Sequence, residues 1–202
     1  MKINIFFAAL IAAFLLTSSA AQAETDAAKF KRDLAAAKKG NVQAQYNLGM
    51  HYAHGDDPDY VKAAKWFQKP AKSGMAAAQR ELGIVYEGGY GMERDFKKAA
   101  MWIDKAARQG DQRAQDSLAG LYYHGNGVKL NYAEAYFWFS LAWPEPPVAP
   151  KSQDTVEERR AAITHDFYTQ MKKSIEGRLE PKQLPEIKAR AAEWKPVGTK
   201  QD

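Results

Sequence analysis

Apolar residues fall into two alternating registers along residues 40–143. In AQYNLGMHY (44–52), AQRELGIVY (78–86) and AQDSLAGLY (114–122), alanine, leucine and tyrosine recur at i, i+4 and i+8. That spacing puts them on one face of a helix. A second register follows each time, with Ala63/Trp66, Ala99/Trp102 and Ala135/Trp138 at i, i+3. It opens behind Asp59, Asp95 or Asn131, residue types whose side chains accept from the exposed N–H groups of a helix start. Gly74 and Gly110 suit the left-handed conformation that follows a helix end. The pattern predicts three helix pairs.

These pairs are copies of one another. Trp66, Trp102 and Trp138 are spaced by 36 residues, as are Tyr60, Phe96 and Tyr132. The alanine–leucine–tyrosine block repeats at 34 and then 36, so the missing two residues belong to the loop between Tyr52 and Asp59, where length changes are tolerated. The expected packing columns are Ala44, Leu48 and Tyr52; Ala78, Leu82 and Tyr86; Ala114, Leu118 and Tyr122; with the alanine–tryptophan pairs of the second helices, tryptophans included, as core. Gly49 and Gly83 stand beside the leucines, and Ala119 takes that place in the third copy. Glycine inside a helix costs about 1 kcal/mol relative to alanine, so close helix approach is the expected compensation.

The motif A-x-x-x-L-G-x-x-Y, a G-x-G turn (Gly89-Tyr90-Gly91, Gly125-Asn126-Gly127), then D-x-x-K-A-x-x-W resembles the Sel1-like repeat family, a relative of the tetratricopeptide repeats. The resemblance implies an all-α fold, a right-handed α-solenoid of stacked helix hairpins. Its expected parts are an N-terminal helix at 24–39 (a degenerate half-repeat), repeats at 40–73, 74–109 and 110–143, a proline-rich connector at 144–153, and a C-terminal helical cap and tail at 154–202. In that cap a charged helix over about 154–176 is expected to carry Ile163, Phe167 and Met171 on its apolar face. Two prolines depart from the pattern. Pro70 is expected to end or kink its helix one turn early, and Pro185 to delay the last helix to its own position.

Stacked hairpins form an extended concave surface, and in the tetratricopeptide relatives the first helix of each pair lines it. The register then implies a partner-binding face of Tyr46, Asn47 and Met50, then Arg80, Glu81 and Ile84, then Asp116, Ser117 and Tyr123. Its mixed polar, charged and aliphatic character suits a peptide or helix ligand. The expected function is a non-enzymatic protein–protein interaction scaffold that binds another protein of the bacterial envelope. The alternative is a module bound to cell-wall glycan or peptidoglycan, because several secreted relatives act near that machinery.

The envelope enters through residues 1–23. A positive start at Lys2, an apolar run from Ile5 to Leu16 and Ala21-Gln22-Ala23 before Glu24 have the order of a secretory signal peptide. Twelve apolar residues are too few to span a bilayer core of about 30 Å. The mature protein is expected in the periplasm or outside the cell, with no membrane insertion after cleavage.

Composition narrows the chemistry. There is no cysteine, which excludes a disulfide scaffold, thiolate metal sites and a cysteine nucleophile; some cysteine-rich relatives are linked to β-lactam hydrolysis, which therefore does not carry over. Gly88-Gly89-Tyr90-Gly91 follows a helix and lacks a Gly-Lys-Ser/Thr ending, so it reads as a turn and not as a phosphate cradle. No G-x-S-x-G or S-x-x-K signature is present. Glu157 and Glu158 are adjacent and point apart on a helix. His51 and His54, near Asp56 and Asp57, could supply two metal ligands where a site wants three or four, so a solvated pair is the plainer reading. The net charge of +5 is dispersed over pairs such as Lys38-Lys39 and Lys97-Lys98, not the contiguous stripe of a nucleic-acid binder. No cofactor, metal or catalytic residue is expected. Intact-mass spectrometry of protein recovered from producing bacteria is expected to show a chain that starts at Glu24; a retained Met1 would refute cleavage.

Overall fold

The computed structural model describes residues 26–144 and 155–197. The expected signal peptide, most of the proline-rich connector and the last five residues lie outside the described residues. All regular structure within them is helical: α1 (26–38), α2 (Val42–His54), α3 (Tyr60–Lys72), α4 (Ala76–Gly88), α5 (Phe96–Arg108), α6 (Gln112–His124), α7 (Tyr132–Ala142), α8 (Val156–Glu176) and α9 (Gln183–Glu193). They fall into two compact units, one ending at Pro70 and one starting at Ala71.

Each hairpin closes in the same way. The backbone N–H of Asp59, Asp95 and Asn131 donates to the carbonyl of the repeated tyrosine, Tyr52, Tyr86 and Tyr122, at 2.8, 2.9 and 3.0 Å. The side chains of the same three residues then cap the second helix, accepting from the N–H groups of Lys62, Lys98 and Ala133/Glu134. One residue therefore ends the turn and starts the helix.

Passage from one hairpin to the next also repeats. A glycine with φ near +90° (Gly40, Gly74, Gly110) ends the preceding helix, a conformation open to glycine because it has no Cβ. Its N–H donates to the carbonyl of Ala37, Ala71 and Ala107 respectively. The same three carbonyls accept a second bond, from the buried amides of Gln45, Gln79 and Gln115, at 3.1, 3.0 and 3.2 Å.

In the first unit Ala37, Ala44 and Leu48 form a small core with Phe30, Leu34 and Trp66 around it. Gly49 lies flat against the Phe67 ring, where a Cβ would collide. The second unit packs α4 on α5, α5 on α6, and α6 on α7, and α7 carries both α8 and α9. Gly83 meets Ile103 as Gly49 meets Phe67.

The terminal helices make α7 a core helix. Its residues Ala135 to Phe139 are all buried, as suits a helix that is apolar all round. Tyr168 of α8 stacks on Phe139 at 5.4 Å, and Trp194 meets Trp138 edge-on at 6.2 Å. The Tyr136 hydroxyl donates to Glu176 at 2.9 Å; burial first, and that bond second, push the phenol well above its ordinary pKa. Arg190 of α9 lies over the Phe137 ring and pairs with both oxygens of Glu134 at 2.8 and 2.9 Å. The equivalent positions in the earlier repeats are Lys62 and Lys98, which instead pair with their own capping residues Asp59 and Asp95.

Four details differ from expectation. Helix α3 continues past Pro70 to Lys72, giving it the same length as α5. Pro70 falls in the last turn, so few helical bonds are at stake, and its fully buried ring offsets the loss. Helix α9 starts at Gln183, two residues before Pro185. The proline then sits in the first turn, whose N–H groups have no intrahelical partner in any case. On α8 the buried residues are Ala162, Tyr168 and Ile175, while Ile163 and Phe167 are 69% and 48% exposed. The stacking of Tyr168 on Phe139 and burial of Ile175 set which side of α8 faces inward. Finally, Trp66 and Trp102 are half-buried, and the inner column is the next residue along: Phe67, Ile103 and Phe139. Buried pairs Ala63/Ala64 and Ala99/Ala100 aim the helix between the two registers, which leaves the tryptophan at the edge. Trp138 alone is deeply buried, beneath α9.

The repeated glutamine generates a prediction. Gln115→Ala is expected to lower stability by about 1–2 kcal/mol, because one buried hydrogen bond is lost while the Ala107 carbonyl keeps its glycine donor. Urea denaturation checks it; an unchanged midpoint would show that the amide carries no weight.

Candidate partner-binding face

The face expected to bind a partner divides into residues that remain on the surface and residues engaged within the chain. On α2, Tyr46 is half-buried against Phe67, with ring centroids 5.9 Å apart. Asn47 donates to Asp33 at 3.2 Å and accepts from Gln43 at 3.0 Å. Met50 lines an open hollow of about 420 Å³ with Asp26, Phe30, Asp33, His51 and His54. His51 lies on the Phe30 ring at 4.4 Å. Among the described residues, no three His, Asp or Glu side chains converge as a metal site would require.

On α4 the outcome departs from the expected face. Arg80 and Glu81 are buried, each 9% exposed. Arg80 holds Glu81 at 2.7 Å and reaches both oxygens of Asp111, at 2.9 and 3.2 Å. Asp111 in turn caps α6 by accepting from the Ala114 N–H at 2.9 Å. Burial disfavours the charge on Arg80, yet the bond to Glu81 and the two nearby carboxylates outweigh it and hold the guanidinium above its ordinary pKa. A buried arginine with two carboxylates locks α4 to the start of α6 and offers little to a ligand. Ile84 stays half-buried on the surface. Glu87, one turn further on, is also half-buried, and desolvation pushes its carboxyl up.

On α6, Asp116 accepts from the Trp143 indole N–H at 2.8 Å. Tyr123 shares a hydrogen bond with Ser174 of α8 at 2.7 Å, and the Arg178 guanidinium lies over the Tyr123 and Tyr132 rings. Ser117 is half-buried. The C-terminal helices thus take up part of the face expected for a partner.

The packing columns lie as follows. Ala44, Leu48, Ala63, Ala78, Leu82, Ala99, Ala114, Leu118, Ala135 and Trp138 are buried, while Tyr52, Tyr86 and Tyr122 are half-buried at the turns they close. Two features escaped sequence reasoning. The glutamines at 45, 79 and 115 follow the repeated alanine in every copy, a signal present in the quoted blocks. The other is Gly120, which occupies the position of Met50 and Ile84 in the earlier copies and leaves open space around a built Cβ.

Helix hairpins with a shared junction and a closing cap define a helical repeat scaffold. The Sel1 repeat model matches residues 42–75, 76–111 and 112–142. The chain belongs to the Sel1 repeat family. Two solved structures are similar. One is a Sel1 repeat protein from Oxalobacter formigenes, 31% identical, with a TM-score of 0.54 over 55% of this chain and 87% of that one. The other is a protective antigen present in uropathogenic Escherichia coli strains that displays an SLR fold. It is 30% identical, with a TM-score of 0.61 over 86% of this chain and 37% of that one. No curated protein sequence matches the chain significantly. Sel1 repeat proteins generally mediate protein–protein interactions, and the fold is generally a non-catalytic scaffold.

Arg80→Met is expected to cost about 3 kcal/mol, since it leaves two carboxylates close together without their cation. Glu81→Gln in that background should recover part of the loss, measured by urea denaturation. Equal stability of the Arg80→Met variant and the parent would contradict the structural role given to this cluster.

Proposed function

We propose that this protein is a non-enzymatic scaffold of the bacterial cell envelope, exported through its first 23 residues, that binds another envelope protein. The surface that meets the partner is the side lined by the first helices of the hairpins, concave in stacks of this kind. The observation that carries this reading is the contrast between columns on α4 and α6. Positions that pack hairpins are nearly constant between copies, whereas Ile84, Glu87, Ser117 and Gly120 differ from their counterparts and lie at or near the surface. Half-buried side chains of mixed character beside a packed core are what a peptide or helix ligand can use. Among the described residues, no helix is long and apolar enough to cross a membrane.

A photo-crosslinking amino acid placed at Ser117, on the proposed face, and at Lys97, on the exposed side of α5, tests the reading in producing bacteria. Ser117 is expected to give a discrete adduct with one envelope protein, and Lys97 none. Adducts only with cytoplasmic proteins would overturn it. Co-sedimentation with purified peptidoglycan, in the absence of any protein adduct, would favour a cell-wall glycan module instead.

A further inference from the structure

Between α6 and α8 lies a narrow apolar slot of about 140 Å³, lined by Ala119, Gly120, Phe139, Phe167, Met171 and Ile175, with Asp116 at its rim. Phe167 and Met171 also line a wider hollow of about 330 Å³, together with Tyr123 and Ser174. The slot exists because of one residue. Where the first two repeats carry Met50 and Ile84, the third carries Gly120, and a Cβ built there meets nothing within 4 Å. Glycine in mid-helix is unfavourable, and no close approach or positive φ at Gly120 demands it. This contrasts with Gly83, which is pressed against Ile103.

We propose that this slot is an anchor pocket for one apolar side chain, of leucine to phenylalanine size, from a partner polypeptide that carries lysine or arginine next to it. The proposal rests on the scaffold reading and deepens it. Size supports it, because an apolar cavity of about 150 Å³ accepts a benzene ring. One carboxylate in the slot supports the basic neighbour. Asp116 stands at the rim, with only one of its oxygens bonded to Trp143. Phe167, 48% exposed, lines the slot and reaches the surface beside it.

The test is NMR of the labelled protein with three blocked dipeptide amides, acetyl-Leu-Arg, acetyl-Leu-Glu and acetyl-Ser-Arg. Acetyl-Leu-Arg amide should shift the Gly120 amide and the Met171 methyl saturably. Acetyl-Leu-Glu amide should bind about threefold more weakly, the scale of one exposed ion pair, and acetyl-Ser-Arg amide should leave both signals in place. Gly120→Ile, which installs the second repeat's residue, should abolish the shifts, and Gly120→Ala, whose methyl enters open space and leaves the fold intact, should weaken them. Absence of saturable shifts, equal shifts in Gly120→Ala and the parent, or shifts on simple dilution that mark self-association through the slot would each overturn the proposal. If the dipeptides fail while Ser117 still crosslinks to one envelope protein, the slot falls and the scaffold reading stands. If the dipeptides bind and no envelope partner is captured, the pocket stands without that reading.

Discussion

A buried glutamine amide, bonded to a carbonyl in the last turn of the preceding helix, is the contact that makes one hairpin follow another in this protein. Gln45, Gln79 and Gln115 each reach back eight residues, across the glycine that turns the chain. Two demands meet at that point. The end of a helix leaves carbonyls without partners, and the next helix must start within a few residues to keep the core closed. The glycine N–H meets the first, and the glutamine adds a second donor to the same carbonyl from the helix that follows. Gln79 extends the device, because its own oxygen accepts from Gln109 at 2.7 Å. The tyrosine carbonyl that receives the capping residue's N–H performs the complementary task inside each hairpin.

With the backbone path set in this way, side chains need only fill a constant gap. Gly49 and Gly83 allow Phe67 and Ile103 to lie against the backbone of the facing helix. Buried alanines such as Ala63, Ala64, Ala99, Ala100, Ala106 and Ala107 keep the remaining faces thin. The turn of the third repeat shows how tight the tolerance becomes. Gly127, at φ +71°, sits where any Cβ would strike the Phe96 carbonyl of the second repeat. The buried charges of the Arg80 cluster are matched within this frame.

Much of this was legible from periodicity alone, because a column that repeats at 36 residues must serve the same role in each copy. The helix starts at Asp59, Asp95 and Asn131 and the left-handed glycines follow directly from residue type. What stayed hidden depended on third parties. Trp66, Trp102 and Trp138 share a register, but only the last has α9 to cover it. Arg80 and Glu81 look like exposed recognition residues until Asp111, thirty residues on, is placed beside them. The i, i+4, i+8 stripe of α8 suggested an inner face, and the aromatic surface of α7 selected a different one. Tyr123 stood out in the sequence, whereas Gly120 carried no visible signal, since an unfilled position is defined by what surrounds it.

The single charge reversal at Glu134 has a meaning for how such arrays change length. Lys62 and Lys98, in the first turn of the second helix of their hairpins, are satisfied locally by Asp59 and Asp95. Glu134 is satisfied by Arg190, far along the chain, and so acts as a terminator that only the closing helices can read. Duplication of the middle unit would bring a copy of Met75 to the place where Arg80 now meets Asp111. Duplication of the third would strand an extra carboxylate with no arginine to meet it. The final unit is therefore tied to its cap through Glu134 and Arg190.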